Sequence, residues 1–368
     1  MSWKKELKRN VRTVDELKEY VNIPQDVEEK LRKVVEIHPM NVTRYYLSLI
    51  DWNDSNDPIK RMAIPSPDEL SCLEGDYDTS GEHENTKMRG LQHKYSETAL
   101  VLATNRCAVY CRYCFRKRMV GLTRDEVIRR LDRAVKYIEE HEEVTNVLIS
   151  GGDPFVLDNK IIKRFLNKLV EIPHLDFIRF GSRVPVTFPM RLNDDDLPEI
   201  LGEFAELKRI YVVTHYNHPK EFTEESTGAI KRLLDNGIVV SNQAVLLKGV
   251  NDDPYTLAEL HRLLVRYGIV PYYVFQCRPV KRVKGIFQVP LKEGYKIVER
   301  AKAMLDGHSK RFRYIMSHRT GKIEIVGVDG DYIYLKYHQA KDKSMLGKLF
   351  RMKLTENAGW LDDLEVAE

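Results

Sequence analysis

From residue 98 onward, short apolar, β-branched runs alternate with longer amphipathic stretches. The runs predict strands at Ala99–Thr104, Val144–Ser150, Phe177–Ser182, Ile210–His215, Val239–Leu246 and Val270–Gln276. The stretches predict helices at Arg124–Glu140, Asn159–Glu171, Asp194–Glu206, Thr223–Asn236, Tyr255–Tyr267 and Leu291–Leu305. Six strand–helix units in a row predict an α/β fold with a parallel sheet, either rolled into a barrel or partial barrel or doubly wound. In either case, chemistry is expected at the C-terminal ends of the strands.

The two ends of the chain follow other patterns. Leu7–Tyr20 and Pro24–Ile37 carry apolar residues at helical spacing, whereas 45–91 is rich in turn-forming residues and predicts ordered loops. Residues 310–354 are predicted to be rich in β-structure. We therefore predict an N-terminal helical and loop region at 1–92, a core at 93–306 and a C-terminal region at 307–368. A capping-box signature, Thr123 followed by Glu126, marks the start of the first core helix.

Composition narrows the function only slightly. The 59 basic and 55 acidic residues leave a net charge of +4, too small a bias to indicate nucleic acid or a membrane surface as a partner. No apolar run reaches the length of about 18 residues that a membrane span needs, and the N-terminus lacks the apolar segment of a secretory signal. We therefore expect a cytoplasmic protein with reduced thiols.

Three of the five cysteines lie within eight residues, directly after the first predicted strand. Cys107, Cys111 and Cys114 have the spacing C-x3-C-x2-C. Three thiolates on one loop can hold three irons of a [4Fe–4S] cluster and leave the fourth iron open to S-adenosylmethionine. A structural zinc site is the alternative, but zinc usually takes four protein ligands, and only Cys72, Cys277 or a histidine could complete the set.

The second predicted strand ends in Ser150, Gly151, Gly152 and Asp153. Two glycines at a strand end let the backbone approach a ligand closely, and Asp153 could accept from an ammonium group. Because this segment lies one strand after the cysteines, it is a candidate for holding the methionyl amine of S-adenosylmethionine. An ordinary turn is the alternative.

Further motifs occur in order along the chain. They are 111–118, Ser150–Asp153, Gly181–Pro185, Thr214–Pro219, Asn242–Asn251 and Pro271–Cys277, preceded by Tyr46–Asp51, Asn56–Ile59 and Ala63–Pro65. Together they resemble the lysine 2,3-aminomutase family of radical S-adenosylmethionine enzymes, over about residues 40–305. The resemblance implies a (β/α)6 partial barrel with the cluster at its C-terminal mouth, and pyridoxal 5′-phosphate as a further cofactor.

The resemblance also implies a reaction. A 5′-deoxyadenosyl radical removes a β-hydrogen from an amino acid, and the amino group moves from C2 to C3 while an imine with pyridoxal phosphate accepts the carbon radical. Such an isomerase acts on a small-molecule amino acid and needs an electron donor, flavodoxin- or ferredoxin-like, for its cluster. No nucleic acid or membrane partner is expected, and a homo-oligomer is possible.

Positions in the family motifs assign roles to residues here. Arg116 would contact the substrate carboxylate, His215 and Gln243 would contact S-adenosylmethionine, and Ser182 with Arg183 would line the cavity. The alternative for Arg116 is a basic surface loop, and the alternative for His215 is a core histidine.

Two departures from the family concern the substrate. Lysine-specific members have aspartates for the distal ammonium at two positions where this chain has Arg278 and Ser317. A cation in place of an anion would repel lysine's side chain and favour an acidic one such as glutamate.

Other departures concern pyridoxal phosphate. Lys322 aligns with the lysine that forms the imine, but one glycine precedes it in place of a run, and an exposed lysine at a hairpin turn is the alternative. Tyr95 and Lys94 would lie near the pyridoxal group. Lys94 and Thr98 stand where the family has arginines, and Tyr113 replaces a histidine between the cysteines.

Three other functions stay open. One is a radical enzyme of the same fold that has lost pyridoxal phosphate and acts on another substrate. Another is a non-catalytic iron–sulfur sensor or binding module. The third is a nucleic-acid binder that uses a basic run, although such runs are usually a solvated face. The run consists of Lys341, Lys343, Lys348, Arg351 and Lys353.

Overall fold

The computed structural model describes residues 2–122 and 126–367, and the strands in these ranges form one sheet in chain order. The strands are β1 Thr86–Met88, β2 Leu91–Tyr95, β3 Thr98–Thr104, β4 Asn146–Gly151, β5 Phe177–Gly181, β6 Arg209–Thr214, β7 Val239–Leu246, β8 Val270–Gln276, β9 Arg313–His318, β10 Gly321–Asp329, β11 Tyr332–Ala340, β12 Leu349–Lys353 and β13 Glu365–Val366.

The helices lie before the parallel strands and between them. They are α1 Trp3–Lys8, α2 Val14–Leu17, α3 Gln25–Ile37, α4 Arg44–Ser48, α5 Pro58–Ala63, α6 Asp68–Ser71, α7 Leu131–Glu139, α8 Asn159–Leu169, α9 Val184–Thr187, α10 Met190–Asn193, α11 Leu197–Ala205, α12 Glu224–Asp235, α13 Pro254–Arg266, α14 Lys284–Phe287 and α15 Leu291–Ala303. Among the described residues, no helix is long and apolar enough to span a membrane.

The six predicted strands are β3 to β8, each parallel to the next. The predicted (β/α)6 partial barrel is confirmed, and β9 adds a seventh parallel strand beside β8. From β9 to β13 the neighbours are antiparallel, so the predicted β-rich C-terminal region continues the barrel sheet as a meander. The sheet therefore crosses both predicted unit boundaries, at 92 and 306, and the division into three units stays a prediction.

The strands separate a core face from a polar interior. On β5, Ile178 and Phe180 are fully buried and share one face. Arg179 and Gly181 share the other face, where Arg179 donates to Asn146 Oδ1 on β4 at 2.5 Å. The inner face of the sheet therefore holds a polar pair near the N-terminal end of β4.

The prediction for the first core helix was wrong at its start. The helix begins at Leu131, not Arg124, because the described part of the preceding segment pairs with the sheet: Ile128 N–H donates to Leu102 O on β3 at 2.8 Å. Thr123, the predicted cap, lies outside the described residues. The side chain of Glu126 instead accepts from Arg118 at 2.7 Å.

The N-terminal prediction was right for α3 and wrong for Leu7–Tyr20. That stretch holds only the end of α1 and the short α2, because Val11 pairs with Val42 in an antiparallel bridge between the two helices. Thr13 then caps α2 in a capping box with Glu16. Short helices α4 to α6 interrupt the predicted loops.

Candidate active site

The cysteine loop leaves the C-terminal end of β3 and lies over the barrel mouth. Burial and the neighbouring charges of Asp153, Cys114 and Cys111 raise the pKa of Cys107, and burial raises the pKa of Cys114 to about 11. Thiols held so close together favour cations that can displace their protons. The donor set therefore fits an iron–sulfur cluster.

A structural zinc site is the alternative that the sequence leaves open for these thiols. In residues 2–122 and 126–367, no three His, Cys, Asp or Glu side chains converge on a point that one metal ion could occupy. A structural zinc site usually takes four protein ligands, whereas a cubane cluster takes one thiolate at each of several irons. The C-x3-C-x2-C spacing on one loop matches the second kind of site.

The N-terminal region supports the outer side of the loop. Asn41 Nδ2 donates to Cys107 O at 3.0 Å and to Ala108 O at 2.9 Å, and Asn10 Nδ2 donates to Ala108 O at 2.9 Å. Tyr110 N–H donates to Asn41 O at 2.9 Å. These bonds satisfy loop carbonyls that secondary structure does not pair.

Buried carboxylates hold the cations of the loop in place. Arg112, between the last two cysteines, donates to both oxygens of Glu69 at 2.8 and 2.6 Å, and Lys117 Nζ donates to Glu69 at 2.7 Å. Burial alone would raise the pKa of Glu69, but Arg112 and Lys117 outweigh it and hold the pKa at about 2. The loop is therefore fixed by a buried ion cluster.

Arg116 belongs to a second buried ion cluster. Its Nε and Nη2 donate to Glu82 at 3.0 and 2.8 Å, and Arg118 donates to Glu82 at 2.6 Å. Arg116 Nη1 donates to Ser150 Oγ and Gly151 O, both at 3.1 Å. The alternative of a basic surface loop is wrong, because Arg116 and Arg118 are buried. The predicted contact with a substrate carboxylate stays a prediction.

The close approach of the cysteine loop requires the glycines at the end of β4, Gly151 and Gly152. Gly151 has φ +118°, and a Cβ there would lie 2.3 Å from Thr104 O; a Cβ on Gly152 would lie 2.2 Å from Arg106 O. Gly152 N–H donates to Thr104 O at 2.6 Å. The close approach is therefore to the neighbouring backbone, which brings the segment beside the cysteines.

Asp153 joins β4 to β5. Its carboxylate accepts from Ser182 Oγ at 2.7 Å, from Arg183 N–H at 2.7 Å and from Phe155 N–H at 3.0 Å. Burial raises the pKa of Asp153 against these hydrogen bonds. Its expected role toward the methionyl amine stays a prediction.

His215 is neutral and has one nitrogen available as an acceptor. Burial and the charge of Arg183 lower its pKa to about 3. Nδ1 donates to Gln243 O, so Nε2 is left as a hydrogen-bond acceptor. The ring stacks on Tyr113, with centroids 5.8 Å apart. His215 is half-buried, and its ring lies against the cysteine loop.

Lys322 is half-buried and lies on β10, opposite Ser317 in the β9–β10 register. Its ammonium is 5.0 Å from the ring centroid of Tyr273 and 5.7 Å from that of Tyr95. Burial, and then the charges of nearby arginines and Lys94, lower its pKa to about 7. The alternative of an exposed lysine at the turn is wrong. Near neutral pH, much of Lys322 is the unprotonated, nucleophilic amine.

Lys94 and Arg278 both donate hydrogen bonds to Ser80 and lie close to each other. Lys94 Nζ donates to His318 O at 2.6 Å, and burial together with the charge of Arg278 lowers its pKa to about 7. Arg278 donates to Ser80 Oγ and, at 2.9 Å, to Ser317 Oγ. The structure thus brings the predicted pyridoxal and substrate residues together.

Sequence reasoning missed the buried carboxylates. Glu69 and Glu82 lie upstream in irregular segments, and no motif marks them. A hint is the charge of the CFRKR stretch: buried cations need anionic partners, so acids had to come from elsewhere in the chain.

A family model and several relatives agree with this assignment. A family model described as "Radical SAM superfamily" matches residues 101–260. A "Putative L-lysine 2,3-aminomutase" of Aquifex aeolicus (strain VF5) is 40% identical over 360 residues, covering 96% of this chain and 95% of that protein. An "L-lysine 2,3-aminomutase" of Clostridium subterminale is 37% identical over 308 residues, covering 83% of this chain and 73% of that protein.

A "Glutamate 2,3-aminomutase" of Clostridioides difficile (strain 630) is 34% identical over 307 residues, covering 83% of this chain and 72% of that protein. The matches extend over most of the chain and include the barrel that carries the cysteine loop. The chain belongs to the lysine 2,3-aminomutase family of radical S-adenosylmethionine enzymes, isomerases that work with a [4Fe–4S] cluster and S-adenosylmethionine.

Proposed function

We propose that the chain is an amino acid 2,3-aminomutase that binds pyridoxal phosphate on Lys322 and acts on an amino acid with an acidic side chain, such as glutamate. The observation that carries the proposal is the shared location of Lys322 and Arg278. Both lie beside Ser317. Lys322 on β10 is the register partner of Ser317 on the adjacent strand β9, and Arg278 donates a hydrogen bond to Ser317 Oγ.

In this proposal Cys107, Cys111 and Cys114 hold the cluster, which when bound supplies one electron to S-adenosylmethionine. His215 Nε2 accepts a hydrogen bond from an amino or hydroxyl group of S-adenosylmethionine. Gln243 fixes the His215 ring through the carbonyl that Nδ1 binds. Ser150, Gly151, Gly152 and Asp153 line the adjoining strand end.

The environment of Lys322 suits a lysine that binds an aldehyde. Bound pyridoxal phosphate would supply an electron sink for the reacting carbon. The lowered pKa gives the amine a lone pair near neutral pH. Tyr95 and Tyr273 cover the amine with aromatic rings and so limit its access to water.

Arg278 favours an anionic substrate group. Its guanidinium stacks 4.1 Å from the centroid of Phe115, and its hydrogen bonds go to neutral hydroxyls. Burial and the charge of Arg116 lower its pKa to about 10, so it is still a cation at neutral pH. A buried cation is stabilised by a carboxylate that binds it directly. A second ammonium, as in lysine, would be repelled by it and by Lys94.

An acidic electron donor fits the outer face of the cysteine loop. Arg106 directly precedes Cys107, and both Arg106 and Arg12 are exposed. Burial raises the pKa of Tyr110, and the charges of Arg106 and Arg12 oppose that rise, so both cations lie near this part of the loop. Such a face would attract a small acidic electron carrier.

Anaerobic turnover tests the substrate. Reconstituted enzyme should convert glutamate to its β-isomer much faster than it converts lysine. Arg278→Gln should lose glutamate turnover, whereas Arg278→Lys, which keeps the charge, should retain part of it. Equal turnover of lysine and glutamate by the wild-type enzyme would refute the acidic substrate.

Absorbance tests the cofactor lysine. Wild-type protein with pyridoxal phosphate should show an imine band that Lys322→Ala removes. Lys336→Ala, which replaces an exposed lysine on β11, is the control and should keep the band. No band in the wild type would favour the enzyme that has lost pyridoxal phosphate. Absence of 5′-deoxyadenosine under reducing conditions would favour the non-catalytic module.

A further inference from the structure

Arg183 reaches the middle cysteine of the loop. This residue follows β5 after Ser182, and its side chain is 9% exposed. Nη1 donates to Cys111 Sγ at 2.9 Å. In the described part of the chain, Cys111 thus accepts from a permanently charged donor, since a guanidinium keeps its proton under all ordinary conditions.

The other donors of Arg183 fix the direction of this bond. Nε donates to His215 O at 3.1 Å, and Nη2 donates to Glu221 Oε1 at 2.5 Å and to Tyr46 Oη at 2.9 Å. The guanidinium carbon lies 5.3 Å from the Tyr46 ring centroid. With each nitrogen engaged, the side chain cannot turn away from Cys111 without breaking several buried hydrogen bonds.

Glu221 partly balances the charge of Arg183. It is fully buried and accepts from Tyr46 Oη at 2.7 Å and from the N–H of Asn217 at 2.6 Å. The electrostatic potential at Cys111 therefore depends on the Arg183–Glu221 ion pair, whose geometry is fixed. Hydrogen bonds to the sulfurs and the surrounding charge are what set the reduction potential of a cluster.

We propose that Arg183 is a positioning residue that raises the reduction potential of the cluster through its hydrogen bond to Cys111, with Glu221 limiting the size of the rise. Reduction adds one negative charge to the cluster, and a cation that donates to a ligand sulfur stabilises the reduced form more than the oxidised form. The proposal rests on the proposed cluster site but is independent of pyridoxal phosphate and of the substrate.

The test is a potentiometric titration of the reconstituted cluster, followed by electron paramagnetic resonance, with iron and sulfide content measured on the same samples. The variants are Arg183→Gln, Arg183→Lys and Glu221→Gln. Arg191→Gln is the matched control: Arg191 is also a buried arginine, but its partners are Asp195 and carbonyls of the β4–α8 connection and not a cysteine.

In Arg183→Gln, the ratio of reduced to oxidised cluster at a fixed potential should fall at least tenfold, a shift of about 59 mV for one electron. Arg183→Lys should shift it less. Arg191→Gln should lower the melting temperature and leave the potential unchanged. A cluster in Arg183→Gln with full iron content and the wild-type potential would overturn the proposal.

Glu221→Gln decides the matter if Arg183→Gln holds no cluster. It removes the balancing negative charge, keeps the side-chain shape, and should raise the reduced-to-oxidised ratio. An unchanged ratio would overturn the proposal. A wild-type protein that takes up no iron would refute the cluster site, and this proposal with it, which is a distinguishable result.

Discussion

Replacing Lys322 by methionine should make the protein without cofactors more stable at low pH and progressively less so at high pH. Methionine matches the length of the buried stem but needs no proton. The folded state holds the Lys322 proton less tightly than the unfolded chain does, because burial lowers the pKa from its ordinary value of 10.5 to about 7. Folding therefore opposes the charged form.

The magnitude follows from that pKa difference. Each unit is worth about 1.4 kcal/mol, so the charged lysine costs about 5 kcal/mol of folding free energy below pH 7. The cost declines as the pH rises from about 7, and it vanishes above about 10.5, where both states are neutral. The stability gain from Lys322→Met should thus be about 3 kcal/mol larger at pH 6 than at pH 9.

Chemical denaturation of wild-type and variant protein, without cofactors, at pH 6 and pH 9 measures this difference. Lys336→Met is the control for exchanging an exposed lysine of the meander for methionine, and subtracting its effect leaves the part that comes from the environment of Lys322. A gain from Lys322→Met that is the same at both pH values would refute the buried, deprotonated amine. That result would also argue against the proposal that Lys322 binds pyridoxal phosphate.

Other perturbations address the remaining parts of the site. Glu82→Gln should lower the free energy of unfolding by about 3–5 kcal/mol at pH 7, because Arg116 is left buried without its anion. The pKa of Glu82 is held at about 2, so this loss, measured by denaturation, should shrink as the pH falls from about 4.5 toward 2. Arg106→Glu should slow cluster reduction by an acidic donor at low ionic strength, and stopped-flow traces should converge with wild type at high salt. Cys114→Ala should abolish cluster absorbance while near-ultraviolet circular dichroism stays native, because Asn41 and Glu69 still hold the loop.

The barrel was predictable from local sequence. β-branched runs such as Val239–Leu246 specify strands directly, and the order of strands and helices specifies parallel pairing. The start of α7 was not predictable in this way. Val127 and Ile128 fit a helical face, yet the Ile128 N–H donates to Leu102 O on β3, a tertiary contact that no local pattern encodes.

The residues of the site likewise divide into those that local sequence predicts and those that depend on tertiary contacts. Three thiols on one loop form a local motif, so spacing alone was enough to predict candidate cluster ligands. The burial of Lys322 could not be predicted from the local sequence, because a Thr-Gly-Lys sequence fits a hairpin whether the lysine faces water or the barrel. The register that sets Lys322 opposite Ser317 decided it. Glu69 and Glu82 could not be foreseen, since their partners lie 34 to 48 residues away.

Neighbouring strands of the sheet follow one another in the sequence, so the ribosome synthesises the strands in the order in which they pair. The cysteine loop emerges about 200 residues before Lys322. At roughly 5–20 residues per second, about 10–40 s separate the two. During that interval the cysteines have emerged and β9 and β10 have not, so the part of the sheet that carries Lys322 joins the barrel only after the cysteine loop has been synthesised.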